Sequence, residues 1–216
     1  GVRISWLMFA RKDDFKRLAS SAASLATRNS CSETSRESFN FLVRRKNQSE
    51  EINPITKNIA FLSDNSYGGV ALQAFVRQEM TKYEDLRLIQ LDGRHHTLYT
   101  IVDELRSLPP HTVLLIGAWK IDAKGEFFMR NASYVMMDAN PELPVFTLSN
   151  AGFGSWALGG VMPTYFIFGR SLAREAVEVL EKPKSYDMKA NFVENQTMFD
   201  YIRINDRKLS LDVLKG

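Results

Sequence analysis

The chain is poor in the residues that form disulfides and metal centres. Its 216 residues include one cysteine, Cys31, and three histidines. A single cysteine excludes an internal disulfide, and three histidines are too few for a structural zinc site. Two of them, His95 and His96, adjoin each other at the start of a predicted helix, where we expect them to face solvent or to cap it. We therefore expect neither a metal nor a cofactor.

Long hydrophobic runs are also missing. No segment approaches the roughly 18 apolar residues of a membrane span. The apolar run over residues 4–10 is too short for the apolar region of a signal peptide. If the natural protein is secreted or anchored, we expect its targeting segment, and any contact with a membrane, to lie outside this sequence.

Charge of one sign does not dominate. The 28 lysines and arginines face 25 aspartates and glutamates, which gives a formal net charge of +3. These charges are interspersed except at Arg44-Arg45-Lys46, and no basic stripe is interleaved with aromatic residues. We therefore expect a solvated surface and no nucleic-acid partner. The 44% of hydrophobic residues suits a soluble domain with a core.

What the chain does contain is a strand, a polar turn and a helix in succession. The run Ile59-Ala60-Phe61-Leu62 predicts a strand buried on both faces. The turn-forming residues Ser63-Asp64-Asn65-Ser66 follow it, and Tyr67-Gly68-Gly69 leads into a segment with helical spacing. In an open α/β sheet such a turn lies at the carboxyl end of its strand, where ligands bind.

Apolar runs of strand length recur after this one. Together they predict strands near 58–62, 86–91, 112–117 and 144–148. The intervening segments predict helices that end near residue 83 or extend over 96–108 and 129–138. Strands separated by helices of this length predict an α/β fold with a doubly wound parallel sheet.

Beyond the fourth strand the pattern changes. After a glycine-rich loop we predict a crossing strand over 161–165, a helix over 169–180 and an extended return over 191–204. Near the other end, the spacing of Phe9, Phe15 and Leu18 permits an amphipathic helix over about 5–28.

Three patterns resemble enzyme motifs only superficially. Asp64 follows the first strand as in receiver domains, but their phosphoacceptor pocket needs an aspartate after the third strand, where this chain has Gly117-Ala118-Trp119. The segment Gly152-Phe153-Gly154-Ser155-Trp156 lacks the first glycine of a nucleophile elbow. Gly68-Gly69 lacks the lysine of a phosphate loop. We find no nucleophile paired with a base and expect no catalytic residue.

Several runs nevertheless carry a resemblance to a known family. They are F-L-S-D-N-S-Y-G-G at 61–69, L-R-S-L-P-P-H-T-V-L-L-I-G at 105–117, L-P-V-F-T-L-S-N-A-G-F-G-S-W-A-L-G-G-V at 143–161 and F-D-Y at 199–201. Over about residues 53–212 the chain resembles the second lobe of periplasmic-binding-protein-like domains of the ABC-transporter substrate-binding type. The likeness is strongest to members that are extracytoplasmic sensor domains of membrane-bound histidine kinases.

The resemblance implies two Rossmann-like lobes of a type I fold, joined by a hinge, with a small molecule held between them. Carried over by position, the ligand-binding residues would be Asp64, Asn65, Ser66, Tyr67, Trp119, Asp122, Ser149, Asn150 and Trp156. The implied function is that of a periplasmic sensor domain of an inner-membrane, two-component histidine kinase. A free-standing substrate-binding component of an ABC transporter and a flavodoxin-like enzyme are the alternatives.

The domain limits that follow are an N-terminal helical segment or remnant of a first lobe at 1–52, a Rossmann-like second lobe at 53–165, and a crossover helix with a return strand at 166–216. Relatives carry about a hundred residues before the first strand of this lobe, an ordinary size for an α/β domain. We therefore expect the first lobe to be truncated or replaced. The helix over 169–180 then needs another partner, which residues 5–28 or a second subunit could supply. We expect a homodimer that uses the N-terminal helix, the helix over 169–180, or both.

Overall fold

The computed structural model of the chain describes residues 56–128, 131–181 and 195–207. The predictions for residues 1–52, including the helix over 5–28, lie outside the described residues. Residues 164–181 belong to one compact unit, and residues 56–163 with 195–207 belong to another. The domain limits expected from the resemblance stay a prediction.

A six-stranded sheet organises the larger unit. Its strands are β1 (Asn58–Ser63), β2 (Arg87–Asp92), β3 (Thr112–Ile116), β4 (Val145–Thr147), β5 (Gly159–Pro163) and β6 (Asn195–Phe199). Their order is β2-β1-β3-β4-β5-β6, with the first five strands parallel and β6 antiparallel to β5. The predicted α/β fold with a doubly wound parallel sheet is confirmed, and each of the four predicted strands lies within one residue of its expected limits.

Five helices accompany these strands in the described part of the chain. They are α1 (Tyr67–Met80), α2 (Leu98–Arg106), α3 (Ala132–Asp138), α4 (Tyr165–Glu181) and α5 (Tyr201–Asp206). Side chains fix where three of them begin: the Ser66 hydroxyl accepts from Gly69 N, Thr97 and Thr100 form a capping box, and the Asp200 carboxylate accepts from Arg203 N.

The sheet is buried on both faces because its central strands alternate two sets of apolar side chains. One face packs against α2 and α3 through Ala60, Leu62, Leu114, Ile116, Ile101, Leu105 and Met136. The opposite face packs against α1 and α5 through Ile59, Phe61, Val113, Leu115, Val76 and Ile204. Because β1, β3 and β4 are parallel, their carboxyl ends lie along one edge of the sheet.

The C-terminal third differs from the sequence-based expectation. The predicted return over 191–204 was wrong in its second half, because strand β6 ends at Phe199 and α5 begins at Tyr201. Asp200 caps α5 and so ends the strand. The crossing strand is Gly159–Pro163, and α4 begins at Tyr165, four residues before its predicted start. The run Tyr165-Phe-Ile-Phe168 has high strand propensity, yet it is helical here.

Helix α4 is the described part of the smaller unit. None of its residues is buried. No helix among the described residues is long and apolar enough to cross a membrane.

Candidate functional site

The candidate site lies where the strand order reverses, between β1 and β3. The chain leaves β1 toward β2 on one side, and β3 pairs with the other side. Ligands of open α/β sheets bind at the carboxyl ends of the strands at such a point. The turn after β1 and the segment after β3, over residues 117–122, meet there.

Three hydrogen bonds join this turn to that segment. Asn65 N donates to Ile121 O at 2.9 Å. The Asn65 side-chain amide donates to Asp122 O at 3.3 Å. Lys120 N donates to Asp64 Oδ2 at 2.9 Å. Hydrogen bonds therefore hold together two parts of the predicted site, residues 64–67 and residues 119–122.

Asp64, in the turn after β1, is fully buried. Its Oδ1 accepts from Ser66 N at 3.1 Å and from Ser66 Oγ at 2.5 Å. Its Oδ2 accepts the bond from Lys120 N. Both oxygens of the carboxylate thus already have hydrogen-bond donors from the protein.

Asp122 is also buried, but the bonds of its carboxylate stay within its own turn. Its Oδ1 accepts from Lys124 N at 2.9 Å and from Glu126 N at 3.1 Å. Its Oδ2 has no hydrogen-bond partner among the described residues, and the same holds for the buried indole nitrogen of Trp119. These two atoms are an acceptor and a donor that are buried without a partner in the described part of the chain.

The loop after β4 supplies the third part of the site. Ser149 N donates to Thr147 Oγ1 at 3.3 Å, and the Ser149 hydroxyl accepts from Ala151 N at 3.2 Å. Gly152 has a φ of +81°, and the ring of Trp156 lies directly against it. A side chain at Gly152 would therefore meet both a strained backbone and this ring.

Asp200 anchors the far end of the same loop, which the sequence-based assignment did not foresee. Its Oδ2 accepts from Gly154 N at 2.6 Å, and its Oδ1 accepts from Arg203 N at 3.1 Å. The F-D-Y sequence was the available signal, since aspartate before a helix is a common cap. Its second bond, to a loop 46 residues away, could not be read from that motif.

Burial divides the predicted ligand-binding residues into two sets. Asp64, Trp119 and Asp122 are buried. The remaining six are half-buried or exposed, and they are Asn65, Ser66, Tyr67, Ser149, Asn150 and Trp156. Trp156 packs against the core cluster that contains Trp119, which brings the third loop to the β3 side of the site. The ligand contacts themselves stay a prediction.

A charged pair outside the predicted ligand set ends β2. Arg94 Nε and the terminal nitrogen NH2 donate to Asp92 Oδ2 at 3.0 and 2.6 Å. Burial raises the pKa of Asp92, but hydrogen bonds from Arg94 and Gln73 outweigh it and lower the pKa from 3.8 to about 2.

The described residues contain no group of three or more metal-ligating side chains.

Comparison with known proteins supports the fold. No family model and no curated protein matches the sequence. A conserved domain protein from Vibrio cholerae O1 biovar eltor matches with a TM-score of 0.54 and 15% identity, over 80% of this chain and 57% of that one. The ABC domain in complex with L-Trp from Streptococcus pneumoniae matches with a TM-score of 0.60 and 16% identity, over 84% and 60%. The chain thus covers less than two thirds of either structure, and such low identities show the fold alone.

Proposed function

We propose that the chain is a small-molecule-binding domain whose ligand lies at the carboxyl edge of the sheet, against the turns after β1, β3 and β4. This proposal rests on the hydrogen bonds that join Asn65 and Asp64 to residues 120–122 at the point where the strand order reverses. A solved structure of the same fold holds L-Trp. We therefore propose an amino acid or a molecule of similar size as the ligand.

The accessible part of the site includes neutral polar groups and an aromatic ring. It offers an amide at Asn65, hydroxyl groups at Ser66 and Ser149, and an aromatic ring at Trp156. Binding sites for small molecules commonly combine apolar surface with a few placed polar groups of this kind. An aromatic or uncharged part of the ligand would face these residues.

We also propose that the domain binds its ligand without transforming it. The Ser66 hydroxyl is a potential nucleophile in the turn after β1. It donates to Asp64 and accepts from Gly69 N at the start of α1. Asp64 in turn accepts three bonds from the protein, which leaves it poorly placed to act as a general base. These contacts support a role for both side chains in shaping the turn.

The physiological context we propose is an extracytoplasmic sensor domain of an inner-membrane histidine kinase, in which ligand binding changes conformation. The resemblance of the sequence motifs supports it. A substrate-binding component of an ABC transporter is the second candidate, favoured by the L-Trp complex of an ABC domain with the same fold. The reading frame on both sides of the segment separates the two, because a kinase sensor requires flanking transmembrane and kinase regions. Flavin in the purified protein would instead favour the flavodoxin-like enzyme.

The proposed homodimer uses α4. Its exposed apolar residues include Tyr165, Phe168, Leu172 and Val179. These positions recur at helical spacing and form one stripe. A second copy of the chain is the partner we propose for this stripe.

Ligand binding can be tested by calorimetry with L-tryptophan as the first probe and the other common amino acids as a panel. Tyr67 begins α1 beside the site and is 71% exposed, so Tyr67→Ala should cost little stability. We expect it to weaken binding about tenfold, which corresponds to about 1.4 kcal/mol.

Tyr99 provides the matched control because it is 80% exposed, lies near the start of α2 and is outside the predicted ligand set. Tyr99→Ala should leave the dissociation constant unchanged. Equal weakening by both variants would place the ligand elsewhere, and no binding by any amino acid would refute the proposed ligand class.

A further inference from the structure

We propose that Asp64 is a positioning residue: its carboxylate fixes the turns after β1 and β3 relative to each other and does not touch the ligand. The sequence resemblance places Asp64 among the ligand contacts, so this inference assigns it a different role. It rests on the proposed function only in taking these turns as the binding site. The arrangement itself can be tested without a ligand.

The first observation is the reach of the Asp64 carboxylate. One oxygen is bonded within the β1 turn, to Ser66 N and Oγ. The other accepts from Lys120 N, which is 56 residues away in sequence. Hydrogen bonds to an ionised acceptor are stronger than those between neutral groups. Together with Asn65, Asp64 is therefore a side chain through which the β1 turn holds the backbone of the β3 segment.

The second observation is independent of hydrogen bonding and concerns two glycines packed against Asp64. A Cβ atom added at Gly69 would lie 2.3 Å from Asp64 Oδ1, and one added at Gly93 would lie 2.7 Å from Asp64 Cα. Gly93 N also donates to Ser63 O at 2.8 Å, which ties the β2 turn to the same point. The β2 turn thus packs against the backbone of Asp64 and the start of α1 against its side chain, with no space for an added methyl group at either glycine.

The third observation is the absence of any accessible surface on Asp64, whose exposure is 0%. A ligand could reach this carboxylate only by displacing protein donors that already satisfy both oxygens. Removing the hydrogen-bond donors of a buried charge costs considerable free energy. Asp64 therefore influences the ligand through Asn65, Ser66 and Lys120.

Amide hydrogen exchange tests this inference on the full chain. In Asp64→Ala the Lys120 and Ser66 amides lose their acceptor, and we expect both to exchange at least about tenfold faster. In Asp64→Asn, which keeps the shape but has one acceptor oxygen, at least one of the two amides should do so. The amide of Gly117, which donates to Leu62 O inside the sheet, should keep its protection in Asp64→Asn and so report that the core is intact.

Affinity for L-tryptophan, measured well below the melting temperature, supplies the second readout. Both Asp64 variants should bind at least about tenfold more weakly. Asp92→Asn is the matched control, because Asp92 is also a buried aspartate at a strand end of this edge but pairs with Arg94 of its own turn. It should lower stability while leaving the Lys120 exchange rate and the affinity unchanged.

The possible outcomes separate cleanly. Unchanged exchange at Lys120 and Ser66 in both variants overturns the inference. Weaker binding with unchanged exchange also overturns it, because Asp64 would then contact the ligand directly. Faster exchange with unchanged affinity shows that the site does not need this geometry, and refutes the positioning role. If the unaltered chain binds no amino acid, the proposed ligand class fails, while the exchange data still decide whether Asp64 holds the turns.

Discussion

At the scale of single residues, the ion pair between Asp92 and Arg94 predicts a pH dependence of stability. The pKa of Asp92 in the folded chain is about 2, below its ordinary value of 3.8. Folding therefore favours the ionised carboxylate, and its contribution is fully present above about pH 4 and disappears as the pH falls toward 2. The shift corresponds to about 2 kcal/mol in the free energy of unfolding.

Urea unfolding at several pH values between 2.5 and 7 measures this contribution. The unaltered chain should lose more stability than Asp92→Asn over the acid part of the range, because the asparagine cannot ionise. Parallel curves for the two proteins would contradict the assigned pKa. Asp103→Asn is the control, since Asp103 pairs with Arg106 on an exposed surface where such pairs contribute little.

Residue identity alone could not reveal what each predicted site aspartate does. The sequence places Asp64 and Asp122 on turns after strands, and the structure confirms that placement. Whether the Asp64 carboxylate faces a ligand or backbone amides depends on Lys120, which is 56 residues away along the chain. The propensity of aspartate for turns is a local property, whereas the partner of its second oxygen is set by tertiary packing.

At the scale of secondary structure, two adjacent glycines lie in the first turn of α1, and we expect their replacement by alanine to change stability in opposite directions. The helical position Gly68 has open space, since an added Cβ would lie 4.0 Å from Ser66 Oγ. Gly68→Ala should raise the free energy of unfolding by up to about 1 kcal/mol, because alanine favours helix. At Gly69 the added Cβ would lie 2.3 Å from Asp64 Oδ1 and 2.5 Å from its carbonyl oxygen.

Gly69→Ala should therefore destabilise the chain by about 1–3 kcal/mol, the usual cost of overpacking. Thermal and urea unfolding of the two single variants provide the measurement. Equal effects of the same sign at both glycines would show that α1 does not approach Asp64 as closely as described.

The sequence predicts best the strands that are buried on both faces of the sheet. Strands β1 and β3 are covered on both faces, so each reads as a continuous apolar run between turn residues. Strand β6 lies at the sheet edge, its three central residues are exposed, and its pattern carries no such signal. The start of α4 was missed for a related reason, since an apolar run of four residues fits a strand or a helix equally well.

At the scale of the whole molecule, the exposed apolar surface of α4 predicts self-association. Tyr165, Phe166, Leu172 and Leu180 are 52%, 73%, 57% and 65% exposed. An apolar surface of this extent is costly to leave in water and usually marks an interface. We therefore expect a homodimer in which two copies of α4 pack against each other.

Light scattering at micromolar concentration tests this expectation, and the dimer should have twice the monomer mass of 24.6 kDa. Val179→Asp places a charge in the apolar stripe and should shift the protein to the monomer mass, because an unpaired carboxylate resists burial in the interface. Arg174→Asp introduces the same residue on the opposite side of the helix and should leave the dimer intact. A monomeric unaltered chain whose melting temperature falls on Val179→Asp would instead show that its own polypeptide covers α4. A dimer that survives Val179→Asp would place the interface on another surface.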